Sequence, residues 1–106
     1  MAKTSPTQRS LAVLREQGYT VAIVEHWNPF ARIRQDLFGF IDLLALKGTE
    51  TLAVQTTSAS NMSARVKKIA EHELVGKVRE AGWKIVVHGW RKDSKGKWVL
   101  REVDVS

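Results

Sequence analysis

The chain has 106 residues, 43% of them hydrophobic and 26% charged, and it contains no cysteine. That length suits one domain able to bury a core of its own, and the missing thiols exclude disulfide frameworks, thiolate zinc sites and cysteine nucleophiles. Lys and Arg number 17 against 11 Asp and Glu, a net charge of +6 that suits a polyanionic partner.

Ser5-Pro6 sets a capping hydroxyl ahead of a proline suited to a first helical turn. Leu11, Val13 and Leu14 supply an apolar side and Gly18 a stop, which predicts a helix over 6–17. Residues 19–27 (YTVAIVEHW) are rich in β-branched and aromatic types and predict one strand. Residues 28–38, with Asn28-Pro29 and three charges, read as a loop. Phe40 to Leu46 is an apolar run interrupted only by Asp42, the pattern of a strand covered on both faces. Lys47 to Glu50 predicts a turn, and 51–57 a strand that closes a hairpin.

Ser58 to Asn61 is capping chemistry ahead of a helix with Met62, Val66 and Ile69 on one face. Glu73 would fall on that face, so a break is expected near 72–73, then a short helix ending at Gly82. Strands over 83–90 and 98–105 flank a polar turn at 91–97. The order α-β-β-β-α-β-β, with a helix joining the third and fourth strands, implies one α/β domain over 1–106 with a mixed sheet. No apolar run approaches the ~20 residues that span a bilayer. The opening MAKTSPTQRS lacks the apolar core of a signal peptide. A soluble, cytoplasmic protein with no membrane partner is expected.

Only residues 21–50 are net acidic, and they hold Glu25, Asp36, Asp42 and Glu50. Such a group inside a basic chain is either scattered surface charge or a metal site facing phosphate. Asp42 is the most informative of them, because a carboxylate inside an apolar strand is unfavourable to bury unpaired. It is either salt-bridged to a neighbouring element or acts as a metal ligand or general base. Ala53, Gln55 and Thr57 share one side of their strand, so Asp42 and Gln55 can face each other across the hairpin. A carboxylate, an amide oxygen and a backbone carbonyl, here that of Thr56, are hard ligands suited to Mg²⁺ or Mn²⁺.

Gly39-Phe-Ile-Asp42-Leu-Leu-Ala-Leu46, a turn, and Leu52-Ala-Val-Gln55-Thr-Thr57 resemble the core of the PD-(D/E)XK nuclease superfamily. In that superfamily an Asp precedes a hairpin whose second arm carries Glu/Asp-X-Lys. The helix ending at Gly18-Tyr19 and the helix after the third strand resemble the small Holliday junction resolvase-like members. The resemblance covers residues 6–90. It implies a restriction-endonuclease-like α-β-β-β-α-β core, with a mixed central sheet and an extra C-terminal strand. It further implies a metal-dependent DNA endonuclease acting on duplex or branched DNA as a homodimer.

Gln55 stands where the family has an acid and Thr57 where it has the lysine, so the cation would come from the next helix, from Lys68 or Arg65. These lie at i and i+3, with His72 a turn on; a solvated helix edge is the other reading. Asp36 becomes a second carboxylate or a loop cap, and Glu25 a third acid or a partner for Arg32 or Arg34. The family's acid on the first helix has no match, since Gln8 lies near that position. Arg32, Arg34, Arg65 and Lys67 would contact phosphates without reading sequence. Lys92, Lys95 and Lys97 extend that surface or simply form a polar turn. Trp27, Trp83, Trp90 and Trp98 read as core or dimer surface first and base-stacking platforms second. Two alternatives stand beside an active nuclease. One is a weak or inactive nuclease fold kept as a nucleic-acid-binding module; the other is a protein-interaction domain built on the last hairpin.

Overall fold

The computed structural model describes residues 5–106; residues 1–4 of the opening segment lie outside that range. Ser5 caps α1 (Pro6–Glu16), its hydroxyl accepting the Gln8 amide at 3.1 Å. The strands of the main sheet are β1 (Thr20–Ile23), β4 (Leu43–Lys47), β5 (Glu50–Ser58), β6 (Lys84–Lys92) and β7 (Trp98–Asp104). They stand side by side in the order β1-β4-β5-β6-β7. Only β5 and β6 are parallel, and a parallel pair needs a crossover connection. That crossover is a 3₁₀ turn (Ala59–Asn61), α2 (Met62–Ala70) and α3 (Val75–Glu80). The fold is therefore α/β with a mixed five-stranded sheet and three helices among the described residues.

Alternation along the strands sends side chains into two cores. Leu52 and Val54 of β5 and Val86 of β6 pack with Leu11 and Leu14 of α1. Ala53, Ile85 and Val87 pack with Met62 and Ile69 of α2 and Val78 of α3. The α1 core also holds polar groups. Ser10 Oγ lies 2.9 Å from His88 Nδ1 and accepts from Trp90 Nε1 at 2.9 Å, tying α1 to β6. On the other face, a Cβ at Gly89 would collide with the Met62 side chain. The missing side chain is what lets the start of α2 lie against β6. The helix break expected near 72–73 lies between Ala70 and Val75.

The strand expected over 19–27 is divided. Pairing of β1 with β4 ends at Ile23–Leu43, after which Val24 N donates to Asp42 O at 2.9 Å. Beyond it β2 (His26–Asn28) leaves the main sheet and pairs with β3 (Ile33–Gln35). The Asn28-Pro29 signal read as a loop is thus a hairpin turn. Asn28 Oδ1 accepts the Phe30 and Ala31 amides at 3.0 and 3.1 Å, and Arg32 closes the turn at φ 55°. Asp42 in turn precedes β4 instead of sitting within it. Its amide still donates to Val54 O at 2.9 Å. The tryptophans divide as well: Trp90 is buried and Trp83 half-buried, whereas Trp27 and Trp98 are exposed, contrary to a core placement. No helix among the described residues is long and apolar enough to cross a membrane.

Candidate active site

Asp42 and Gln55 lie one step beyond the Leu43–Val54 pair of the hairpin and are 4% and 2% exposed. Both line a cavity of about 370 Å³. The first turn of α1 contributes Ser5, Pro6 and Thr7 to its wall, and α2 contributes Arg65 and Lys68. Glu25 and Asp36 complete it from the two roots of the β2–β3 hairpin, one residue before β2 and one after β3. One oxygen from each of Glu25, Asp36 and Asp42 lies within 4.8 Å of the others.

Hydrogen bonds hold these carboxylates. Asp42 Oδ2 accepts the Thr56 amide at 2.8 Å and the Thr56 hydroxyl at 3.3 Å. The Thr7 hydroxyl donates to Glu25 Oε1 at 3.1 Å and lies 2.8 Å from the Thr56 hydroxyl. Arg34 Nη1 pairs with Glu25 Oε1 at 3.1 Å. Burial pushes Asp42 up to about 8, against the Thr56 amide, which favours its charged form; the Asp36 charge and carboxyl hydrogen bonds with Asp36 and Glu25 add to the rise. Like charges this close cannot all ionise freely.

Acidic clusters are common on protein surfaces without any ion. The feature that separates this one is Gln55, whose Oε1 is buried with no hydrogen-bond partner. A buried polar atom without a partner calls for a missing donor or ion. Three carboxylates and an orphan amide oxygen are the hard oxygen set that fits Mg²⁺ or Mn²⁺.

Asp42, Gln55, Thr56, Asp36, Glu25, Arg34, Arg65 and Lys68 are therefore brought together. The sequence pointed to the Thr56 carbonyl, whereas the contacts formed come from its amide and hydroxyl. Thr57, Arg32 and Lys67 do not join the described lining of the cavity. Thr57 is buried on the α2 side of β5, following the alternation that puts Ala53 in that core. Arg32 sits in the hairpin turn, and Lys67 lines a separate surface hollow with Glu71. His72 packs against the Phe40 ring at 5.0 Å between centroids. A Cβ on Gly39, which has φ 87°, would come 2.7 Å from His72 Nε2. Thr7, next to Gln8, also lines the cavity and is not among the residues to which the sequence points. The spacing Thr7, Ser10, Leu11, Leu14 is one helical stripe, and its two hydroxyls mark where α1 meets polar partners.

No family model, no curated protein and no solved structure matches this chain.

Proposed function

We propose that this chain is a metal-dependent DNA endonuclease on a restriction-endonuclease-like core, working on duplex or branched DNA as a homodimer. One observation carries the reading: Gln55, whose buried side-chain oxygen has no hydrogen-bond partner, lines the same cavity as three clustered carboxylates and two α2 cations. Glu25, Asp36, Asp42 and Gln55 would hold Mg²⁺ or Mn²⁺. The bound cation supplies a water of lowered pKa and offsets charge at the phosphate. Lys68 and Arg65 stabilise the negative charge that grows on the phosphoryl oxygens as the bond to the leaving oxygen breaks. Thr56 and Thr7 fix the orientation of Asp42 and Glu25, and Arg34 both anchors Glu25 and offers charge to the backbone.

Gln55 and the inward-facing Thr57 also favour a second reading, a nuclease fold that binds DNA without cutting it. Incubation of branched, duplex and single-stranded DNA with Mg²⁺ or Mn²⁺ separates the two. Cleavage that disappears in Asp42→Ala, with folding intact, supports the enzyme. Salt-dependent binding with no cleavage supports the module. Cleavage undiminished in Asp42→Ala rules out this site.

A further inference from the structure

The β2–β3 hairpin grows out of the acidic cluster, with Glu25 at one root and Asp36 at the other. Between those roots, residues 26–35 (HWNPFARIRQ) hold two arginines, a histidine and two aromatic rings, and no acid. The apolar side chains of this arm face solvent: Phe30 is 98% exposed, Trp27 57% and Ile33 51%. They bury little against the main sheet, so hydrophobic burial does not explain them. The tip is nonetheless held by its own local contacts. Pro29 restricts φ, Asn28 Oδ1 holds the Phe30 and Ala31 amides, and Arg32 takes a left-handed φ of 55°. Trp27 stands opposite Arg34 in the hairpin register, and the Arg34 guanidinium reaches Glu25 at 3.1 Å. Trp27 thus lies across the hairpin from the arginine that pairs with Glu25, two residues along the chain from that carboxylate.

Exposed rings among guanidiniums have the chemistry that takes unpaired bases: the rings stack on base faces while the cations hold phosphates. A continuous duplex keeps its base faces within its own stack, so such rings reach them only at the cost of unstacking a base step. We propose that the hairpin is a stacking arm for unpaired bases beside the phosphate at the acidic site. The substrate class is then DNA with single-stranded nucleotides at the point of attack, as in a flap, fork or junction, in preference to uninterrupted duplex. The assignment of that phosphate rests on the nuclease reading above; the arm itself is tested without cleavage.

The full chain is titrated in EDTA, at one fixed salt concentration, against labelled single strand, fork and blunt duplex by fluorescence anisotropy. Trp27→Ala and Phe30→Ala are compared with wild type, and circular dichroism checks their folding. Each substitution should weaken single-strand and fork binding by roughly 5- to 150-fold, and leave blunt duplex within about twofold. Equal weakening on all three DNAs, or none on any, overturns the arm. So does a shift from dimer to monomer in sedimentation with DNA affinities intact, which would put a second copy of this chain on the hairpin. A wild type that binds no DNA overturns both the arm and the nuclease reading. A wild type that cuts nothing with Mg²⁺ or Mn²⁺, yet shows the expected differences in EDTA, overturns catalysis alone.

Discussion

Asp42 Oδ2 accepts the backbone amide of Thr56 at 2.8 Å, across the two arms of the β4–β5 hairpin. This bond holds a carboxylate in a place where burial opposes its charge. Unfolded, Asp42 ionises near its ordinary 3.8; folded, it keeps its proton to about 8. Between those values the native state binds more protons than the unfolded state, so stability falls as pH rises. His88 acts the other way, because burial lowers its pKa and the folded state favours its neutral form. Its contribution is present above the unfolded value of about 6.5 and is lost as pH falls. Above about pH 6.5 the Asp42 slope therefore stands without opposition from His88. The Tm of the cation-free protein should fall from about pH 6.5 to 8.5, and Asp42→Asn should flatten that slope and raise Tm at the alkaline end. An equal slope in the variant contradicts this account.

A cation entering among Glu25, Asp36 and Asp42 must displace the proton that the cluster keeps. Mn²⁺ binding near neutral pH should release up to about one proton, read by calorimetry in buffers of different ionisation enthalpy. At a hundred times its Kd the ion should stabilise the fold by about 2.7 kcal/mol. Gln55→Glu should tighten Mn²⁺ binding by adding a negative charge to the donor set, while weakening the cation-free fold because a new carboxylate would be buried at a site only 2% exposed. Titrations that are the same for wild type and variant would remove Gln55 from the donor set.

The elements that carry the sheet were legible because their patterns are local. The run 40–46, the turn at Lys47–Glu50 and the alternation of β5 placed Asp42 against Gln55, and Met62, Val66 and Ile69 placed Arg65 and Lys68 on their helix. The β2–β3 hairpin was not legible. Trp27 and Ile33 have strong strand propensity, but which strand they pair with depends on where the β1–β4 ladder stops. Thr7 escaped for a related reason. Its partners Glu25 and Thr56 lie 18 and 49 residues away, and no periodicity within α1 names them.

Ser10 has no exposed surface and serves both Trp90 Nε1 and His88 Nδ1. The indole donates to the hydroxyl oxygen, which also lies 2.9 Å from His88 Nδ1, and His88 Nε2 stands 3.6 Å from Glu102. Ser10→Ala removes the hydroxyl partner of two buried ring nitrogens, Trp90 Nε1 and His88 Nδ1, with an expected loss of roughly 1–3 kcal/mol. Denaturant unfolding should show a lower midpoint at unchanged m-value. A variant as stable as wild type would mean that the α1–β6 contact rests on Leu11 and Leu14 alone.

The last prediction concerns the cations of α2, because β5 carries no lysine. Arg65 and Lys68 both line the acidic cavity, and Lys68 also borders the adjacent hollow that runs past Asp36 to Phe38. On the proposed nuclease reading, a cation in that position would either grip the substrate phosphate throughout or act mainly as charge builds in the transition state. The two roles differ in kinetics: uniform binding raises KM when lost, whereas a transition-state contact lowers kcat. Lys68→Ala should lower the single-turnover rate by roughly 10²–10³-fold, as for removal of one oxyanion-type donor, with little change in DNA affinity. Lys68→Arg should restore part of it, since charge is kept while the donor geometry changes. Arg65, half-buried and one turn earlier, should show the same sign with a smaller loss. If both alanine variants weaken affinity and leave the single-turnover rate intact, the α2 cations only position DNA and take no part in meeting transition-state charge.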